Sequence, residues 1–337
     1  MVSMLKQVAK KSKTAIIVHK IYENWRMKRQ FSSGNFESLH GSTHSTIIKH
    51  LSESIDYINV QFEDYLKYSG LQAEQLRGMK IFELGFGDNV GVALKFIAAG
   101  AEQVVCLDKF YSKRNLDQQR KIYLALRETL DPESQRRFDE AVNLNTGVEI
   151  NPDKITCIYG KDVEDAGELA GLGPFDLVVS RGAIQDIFNP DAAFEAMDRI
   201  LVKGGHMLHK IDLSDQGMFR ANGMNPLTFL TISESVYRLM AIDSGKPNRK
   251  LMSYYRNIMN RLGYETELLI TGIIGVGECG KGNLHPHKPA IELNVDYPQP
   301  TLDLVSEVRP RLAAPFRALP DDELIVDGIF IIAKKLR

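Results

Sequence analysis

The chain has 337 residues, 44% of them hydrophobic and 25% charged, enough to bury a full core in one large domain with insertions or in two. A net charge of −1 sets up no global field for a polyanion such as nucleic acid, and no run of 18 apolar residues offers a membrane span. Three cysteines, Cys106, Cys157 and Cys279, are too few and too scattered for a disulfide framework and suit a reducing, cytoplasmic compartment.

Residues 1–30 hold eight Lys/Arg and one acid, Glu23, with Leu5, Val8, Ile16, Ile17, Ile21 and Trp25 able to share parts of a helical face. Three readings fit this pattern: a solvated basic helix docked on the body, a peripheral contact with an anionic membrane, and an organellar transit peptide. No secretory apolar core is present. Residues 31–45 are polar and rich in Gly and Ser, with His40 and His44. From Thr46 to Tyr68, Ile47, Leu51, Ile55, Ile58, Phe62, Tyr65 and Leu66 recur at helical spacing, and Ser69-Gly70 ends the run. Residues 1–77 are therefore expected to form a helical extension that covers one side of a pocket.

Met79 to Asp108 organises the remainder. A strand, Met79–Leu84, runs into Gly85-Phe86-Gly87-Asp88-Asn89-Val90-Gly91, then a helix to Ala99-Gly100, then a second strand, Gln103–Asp108. Glycines let a backbone approach a ligand, and a carboxylate after the second strand suits a ribose diol. Asp108 follows Gly87 by 21 residues, the spacing a ribose contact needs. Glu83 stands before the first glycine. A carboxylate there would repel a pyrophosphate and matches a cationic or zwitterionic ligand. A surface acid is the alternative, but an unpaired carboxylate ending an apolar strand is costly.

Ser112 to Asn145 reads as a charged helical insertion with a stripe of Leu116, Ile122, Tyr123, Leu126 and Leu130, restarted by Asp131-Pro132-Glu133. Such an insertion either shapes access to the site or is ornamental. Strands follow at Ile155–Tyr159, Phe175–Ser180 and His206–Ile211. A helix from Asn189-Pro190-Asp191 stops at Lys203-Gly204-Gly205. Helices are expected over Leu227–Ala241 and Asn248–Leu262, a sixth strand over Glu265–Thr271, a long loop over 272–320, and a seventh strand over Ile325–Lys335. The alternation predicts a Rossmann-like α/β fold: a seven-stranded, mostly parallel sheet with helices on both faces and an antiparallel terminal strand.

In this order and spacing the residues resemble class I S-adenosylmethionine-dependent methyltransferases, over roughly Met79 to Lys335. Glu83-Leu84-Gly85-Phe86-Gly87 resembles that superfamily's acid-x-Gly-x-Gly motif, and Asp108 its ribose-binding acid. Lys161-Asp162-Val163 resembles the segment that meets the adenine, Phe175–Ser180 the strand that reaches the reacting centre, and Leu201–Gly205 the helix-to-strand turn. The resemblance implies S-adenosylmethionine as cofactor, held by Glu83, Gly85, Gly87, Asn89, Asp108, Lys109, Asp162, Val163, Ser180 and Arg181, and a methyltransferase domain over 78–337. A closer resemblance is to methyltransferase domains found with bacterial glycan and secondary-metabolite pathways. It is carried by His209–Asp215, Pro226–Leu230, Pro247-Asn248-Arg249, Arg309–Leu312 and Asp321–Leu324. Where that group often has Glu-His and Asp-His, this chain has Gln185-Asp186 and Asp215-Gln216.

The candidates for contacting a methyl acceptor, or for taking its proton, are His209, Asp212, Asp215 and Asp186. Each has a structural alternative: a packed histidine for His209, a cap or loop hydrogen bond for the acids. Period 2 sets Lys210 and Asp212 on one side of their strand and His209 and Ile211 on the other. Cys279 with His285 and His287 fits no closed zinc pattern, so no metal is expected. The expected acceptor is a hydroxyl of a sugar, glycan precursor or small metabolite. The alternative is a non-catalytic methyltransferase-like partner module in a glycan-assembly complex. A nicotinamide-dependent reductase is disfavoured because none of the twelve tyrosines begins Tyr-x-x-x-Lys. A nucleic-acid methyltransferase is disfavoured by the absence of Asn-Pro-Pro-Tyr and Pro-Cys motifs.

Overall fold

The computed structural model describes residues 12–37, 50–165, 169, 171–278 and 297–336. His40, His44, Cys279, His285 and His287 lie outside the described residues. Among the described residues ten strands form: β1 Lys80–Leu84, β2 Gln103–Asp108, β3 Val142–Asn143, β4 Glu149–Ile150, β5 Ile155–Tyr159, β6 Phe175–Arg181, β7 Leu201–Asp212, β8 Tyr264–Ile273, β9 Gly277–Glu278 and β10 Val326–Lys335. Eight of them make one sheet in the order β5-β2-β1-β6-β7-β10-β8-β9, while β3 and β4 form a separate ribbon. The neighbours from β5 to β7 pair in parallel, and β10 pairs antiparallel with both β7 and β8. The seven long strands are those the sequence predicts; β9 adds two residues at the edge.

Strand alternation assigns side chains to the two faces. From β1 and β2, Phe82, Leu84, Val105 and Leu107 enter one core, which also holds Phe194, Met207 and Ile211. Ile81, Val104 and Cys106 enter the other, with Phe62, Phe96 and Tyr123. The chain goes from β1 outward to β2 and β5, then returns to lay β6 on the opposite side of β1. That reversal leaves a crevice at the carboxyl ends of β1 and β6, where open α/β sheets bind ligands.

The helices are α1 Lys13–Ser32, α2 Leu51–Ser69, α3 Gly91–Ala98, α4 Leu116–Glu128, α5 Pro132–Ala141, α6 Pro190–Ile200, α7 Glu234–Ala241, α8 Met252–Leu262, α9 Gln299–Val308 and α10 Asp321–Ile325. Helix α1 docks on the body: Asn24 accepts from the Asp243 N–H at 2.7 Å, and Lys13 Nζ donates to Thr231 Oγ1 at 2.5 Å. Ile16, Ile17 and Ile21 face inward, but Trp25 faces out, half exposed.

Several boundaries differ from expectation. Residues expected to begin a helix at Leu227 make a single 3-10 turn, Thr228–Thr231, and an extended Ile232 separates it from α7. Helix α8 starts at Met252 rather than Asn248. The Asn248 amide is engaged with the carbonyls of Ile184 and Ile187, and Arg249 has a φ of 58°. Helix α6 ends at Ile200, and Lys203-Gly204-Gly205 forms an irregularity inside β7 instead of a helix stop. The 272–320 segment is not all loop: it contains α9, whose buried Thr301, Val305 and Val308 recur at helical spacing. The insertion after β2 is two helices, α4 and α5, closed by the β3–β4 ribbon; Leu116, placed in its stripe by the sequence, is exposed.

Candidate active site

The glycine turn after β1 is shaped by what it must pass. Gly85 has φ 77° and donates its N–H to the Leu107 carbonyl at 2.8 Å. A Cβ on Gly85 would meet Ala183 Cβ at 2.4 Å, so β1 and the segment after β6 approach closer than any side chain allows. Gly87, φ 70°, donates its N–H to Asp108 Oδ2 at 3.1 Å, and Phe110 donates to Asp108 Oδ1 at 3.0 Å. The turn and the end of β2 are thereby joined through one carboxylate. Each of its oxygens accepts one N–H and retains a further lone pair.

Helix α4 supports this turn from behind. Tyr123 OH accepts the Val90 N–H at 2.8 Å, and Gln119 Nε2 donates to the Asp88 carbonyl at 3.1 Å and to Tyr123 OH at 2.9 Å. At this point the insertion buttresses the turn. Asn89 serves it too, its Oδ1 accepting the Gly91 N–H at 3.0 Å at the start of α3.

The crevice is a cleft of about 1050 Å³. It is lined at one end by Glu83, Gly85, Gly87, Asn89, Asp108, Lys109, Asp162 and Val163, and at the other by Arg181, Asp186, Lys210, Asp212, Gln216 and Lys246. Pockets for a single small ligand run to roughly 300–1,000 Å³, so this one stands at the upper end of that range.

At the first end, burial pushes the Glu83 carboxyl up to about 7, opposed by a contact with Cys106 Sγ at 3.6 Å. Burial likewise raises Asp108 to about 6, held back by its two N–H donors and by the charge of Arg114. Lys109 Nζ reaches Asp162 Oδ2 at 2.5 Å, and Val163 is buried beside them. Two acids with raised pKa values in one cavity are short of positive charge, which a cationic ligand would supply.

At the other end, Arg181 pairs with Asp64 of α2 at 2.5 Å, both side chains only 10% exposed, and lies over the Tyr57 ring at 5.3 Å. This pair ties α2 across the cleft. Asp186 accepts from Gln216 Nε2 at 2.8 Å. Burial raises its carboxyl to about 7; the charge of Lys246 pulls it down, while Asp212 and Asp108 push it up. Asp212 accepts the Ser214 N–H at 2.8 Å.

Three predicted residues lie outside the cleft lining. Ser180 and His209 point to the opposite face of the sheet, where Ser180 Oγ and His209 Nδ1 are 2.8 Å apart and the imidazole meets Phe194 edge-on. Both are fully buried, and burial lowers His209 to about 3, so it is neutral at ordinary pH. This placement corrects two expectations, His209 as a base and Ser180 as a cofactor contact. The reason is strand parity: Arg181 and Lys210, one residue on, are the ones that reach the cleft. Asp215 is also fully buried, and its carboxylate caps a loop by accepting from the N–H groups of Gly217, Phe219 and Arg220 at 2.7–2.9 Å. His50 is exposed and caps nothing with its side chain. Among the described residues no cluster of His, Cys, Asp or Glu could hold a metal ion.

The structure adds Lys210, Gln216 and Lys246. Lys210 was legible from its alternation with Asp212. Lys246 sits in a turn after α7 that carries no motif and reaches the cleft only through the fold.

The donor set suits S-adenosylmethionine. The free lone pairs of Asp108 match a ribose diol, the glycine cradle admits close backbone contact, and Glu83 offers negative charge to a cation. No protein-family model matches the chain, and neither does any curated protein. Solved structures with a distant likeness include phosphoethanolamine N-methyltransferase 2 of Haemonchus contortus in complex with S-adenosyl-L-methionine, at 18% identity over 82% of this chain and 52% of that one, TM-score 0.39. Another is the CurJ carbon methyltransferase, at 8% identity over 86% and 56%, TM-score 0.38. A third is an S-adenosylmethionine-dependent methyltransferase from Mesorhizobium loti, at 14% identity over 82% and 100%, TM-score 0.38. The chain spans only 52% and 56% of the length of the first two. Likenesses this remote carry no function across; the donor set itself has to.

Proposed function

We propose that the chain is an S-adenosylmethionine-dependent methyltransferase acting on a hydroxyl of a small polar acceptor, such as a sugar, glycan precursor or metabolite. The observation that supports it most is the division of one cleft. One end holds the Gly85–Gly87 cradle, clasped by Asp108 and lined by Glu83; the other holds Asp186 and Asp212 facing Lys210 and Lys246.

Bound there, the cofactor would supply an electrophilic methyl group on a sulfonium. The remaining tasks fall to the chain. Asp108 accepts hydroxyl donors while Gly87 and Phe110 fix its two oxygens. Arg181, held by Asp64, keeps α2 over the cleft. Asp186 takes the proton of the acceptor hydroxyl: a base with pKa near the working pH combines availability with driving force, and burial brings Asp186 to about 7. Gln216 Nε2 orients its carboxylate.

The test is S-adenosylhomocysteine release across sugars, polyols, amines and carbon acids, with wild type and Asp186→Asn. The expected result is turnover of a hydroxyl acceptor that falls about 10²–10⁴-fold in the variant, with cofactor affinity retained. Turnover confined to amines or carbon acids would displace the hydroxyl reading. Cofactor binding without turnover of anything would favour a non-catalytic partner module.

A further inference from the structure

Helix α1 has a second face. Its inner side, with Ile16, Asn24 and Met27 buried, docks on the body, and Met27 reaches the wall of the cleft. Its outer side carries Val18, Tyr22 and Trp25, exposed to 61%, 54% and 50%. Their spacing of four and three residues aligns them on one stripe. The Tyr22 and Trp25 rings lie 6.1 Å apart, and the Arg29 guanidinium covers Trp25 at 4.9 Å. Arg26 and Lys28 are exposed beside them. The only acid in residues 1–30, Glu23, is taken up by Lys20 at 2.6 Å and His19 at 3.3 Å, so no carboxylate opposes the basic flank. Among the described residues no helix is long and apolar enough to cross a membrane.

We propose that this outer face of α1 docks on an anionic lipid surface. The charge supports it: Arg26, Lys28 and Arg29 are exposed around the stripe, and Glu23, the only acid of the helix, is paired with Lys20, a surplus that complements acidic headgroups. The residue types support it as well. Trp and Tyr place an apolar ring and a polar edge at the headgroup level, and an aliphatic Val18 beside them enters the acyl boundary. A solvated helix would leave three large apolar side chains in water, while Ile16 and Met27 on its inward face are already buried against the body. The helix lies flat on the bilayer and keeps its contacts with α7, so membrane binding and the folded body coexist.

Trp25 is the only tryptophan in the chain, which makes the intact protein its own reporter. Vesicles of phosphatidylcholine with phosphatidylglycerol should blue-shift its emission and sediment the protein. Pure phosphatidylcholine should do neither. Arg26→Gln with Lys28→Gln leaves Arg29 over Trp25 and should weaken partitioning about 25-fold, since each basic residue near an anionic surface contributes roughly fivefold. Val18→Ser with Tyr22→Ser should abolish the blue shift. No shift with anionic vesicles overturns the proposal, as does equal binding to neutral ones. A shift caused by single-stranded RNA and not by vesicles overturns it in favour of a nucleic acid.

Discussion

Glu83→Gln separates what the acid does to the fold from what it does for a ligand. Burial moves its carboxyl from 4.5 up to about 7. The folded state therefore holds the proton more tightly than the unfolded chain. Stability from this group is fully present below pH 4.5 and is lost as pH rises through 7. At about 1.36 kcal/mol per pH unit, ionised Glu83 opposes folding by about 3 kcal/mol once pH is well above 7. Glutamine keeps the shape and removes the charge. Urea unfolding of the ligand-free protein should find the variant more stable by about 1 kcal/mol at pH 5.5 and about 3 kcal/mol at pH 8.5. Wild type should in turn gain more melting temperature from S-adenosylmethionine than the variant does, because the ligand's positive charge offsets the buried carboxylate. A stability gap independent of pH, or a variant less stable at pH 8.5, would show that burial does not raise the Glu83 carboxyl.

Gly85→Ala should fold poorly and lose the cofactor site, since φ 77° costs a side chain roughly 1–2 kcal/mol and its Cβ would sit 2.4 Å from that of Ala183; a melting temperature and cofactor affinity both unchanged would show that the β1–β6 approach is looser than described. Asp64→Ala leaves the Arg181 guanidinium buried without its carboxylate and should cost about 3–5 kcal/mol in urea unfolding, while Asp64→Leu with Arg181→Met should recover most of the loss. If the single and double variants are equally unstable, the pair is not what holds α2 to the sheet.

The sheet was readable because its long strands are apolar runs ended by glycine, proline or an acid, and because β1, the Gly85–Gly87 turn and β2 fall in a fixed order. Helix α9 was not: Pro298 and Pro300 at its start look like loop residues, although proline at a first helical turn is well tolerated. The cofactor end of the site was legible because one local segment supplies most of it. The acceptor end was legible only in part: Asp186, Asp212 and Arg181 stand out at strand ends, but Gln216 and Lys246 join them only in the folded chain. Strand parity already set His209 opposite Lys210 and Asp212; applied to β6 as well, it would have removed Ser180 in favour of Arg181. A loop hydrogen bond was the alternative for both acids; which of them takes it, Asp215 on three N–H groups while Asp186 at the end of a 3-10 turn stays in the cleft, is decided only by the fold.

The crevice at the carboxyl ends of β1 and β6 should hold a sulfonium nucleoside and not a pyrophosphate one. Calorimetric titration of the intact protein with S-adenosylmethionine and, separately, with NAD tests it directly. One S-adenosylmethionine should bind per chain, weakened about 100-fold or more by Asp108→Ala through the loss of hydrogen bonds to a charged acceptor, and NAD should give no heat. Binding of NAD, or S-adenosylmethionine binding that Asp108→Ala leaves intact, would contradict it.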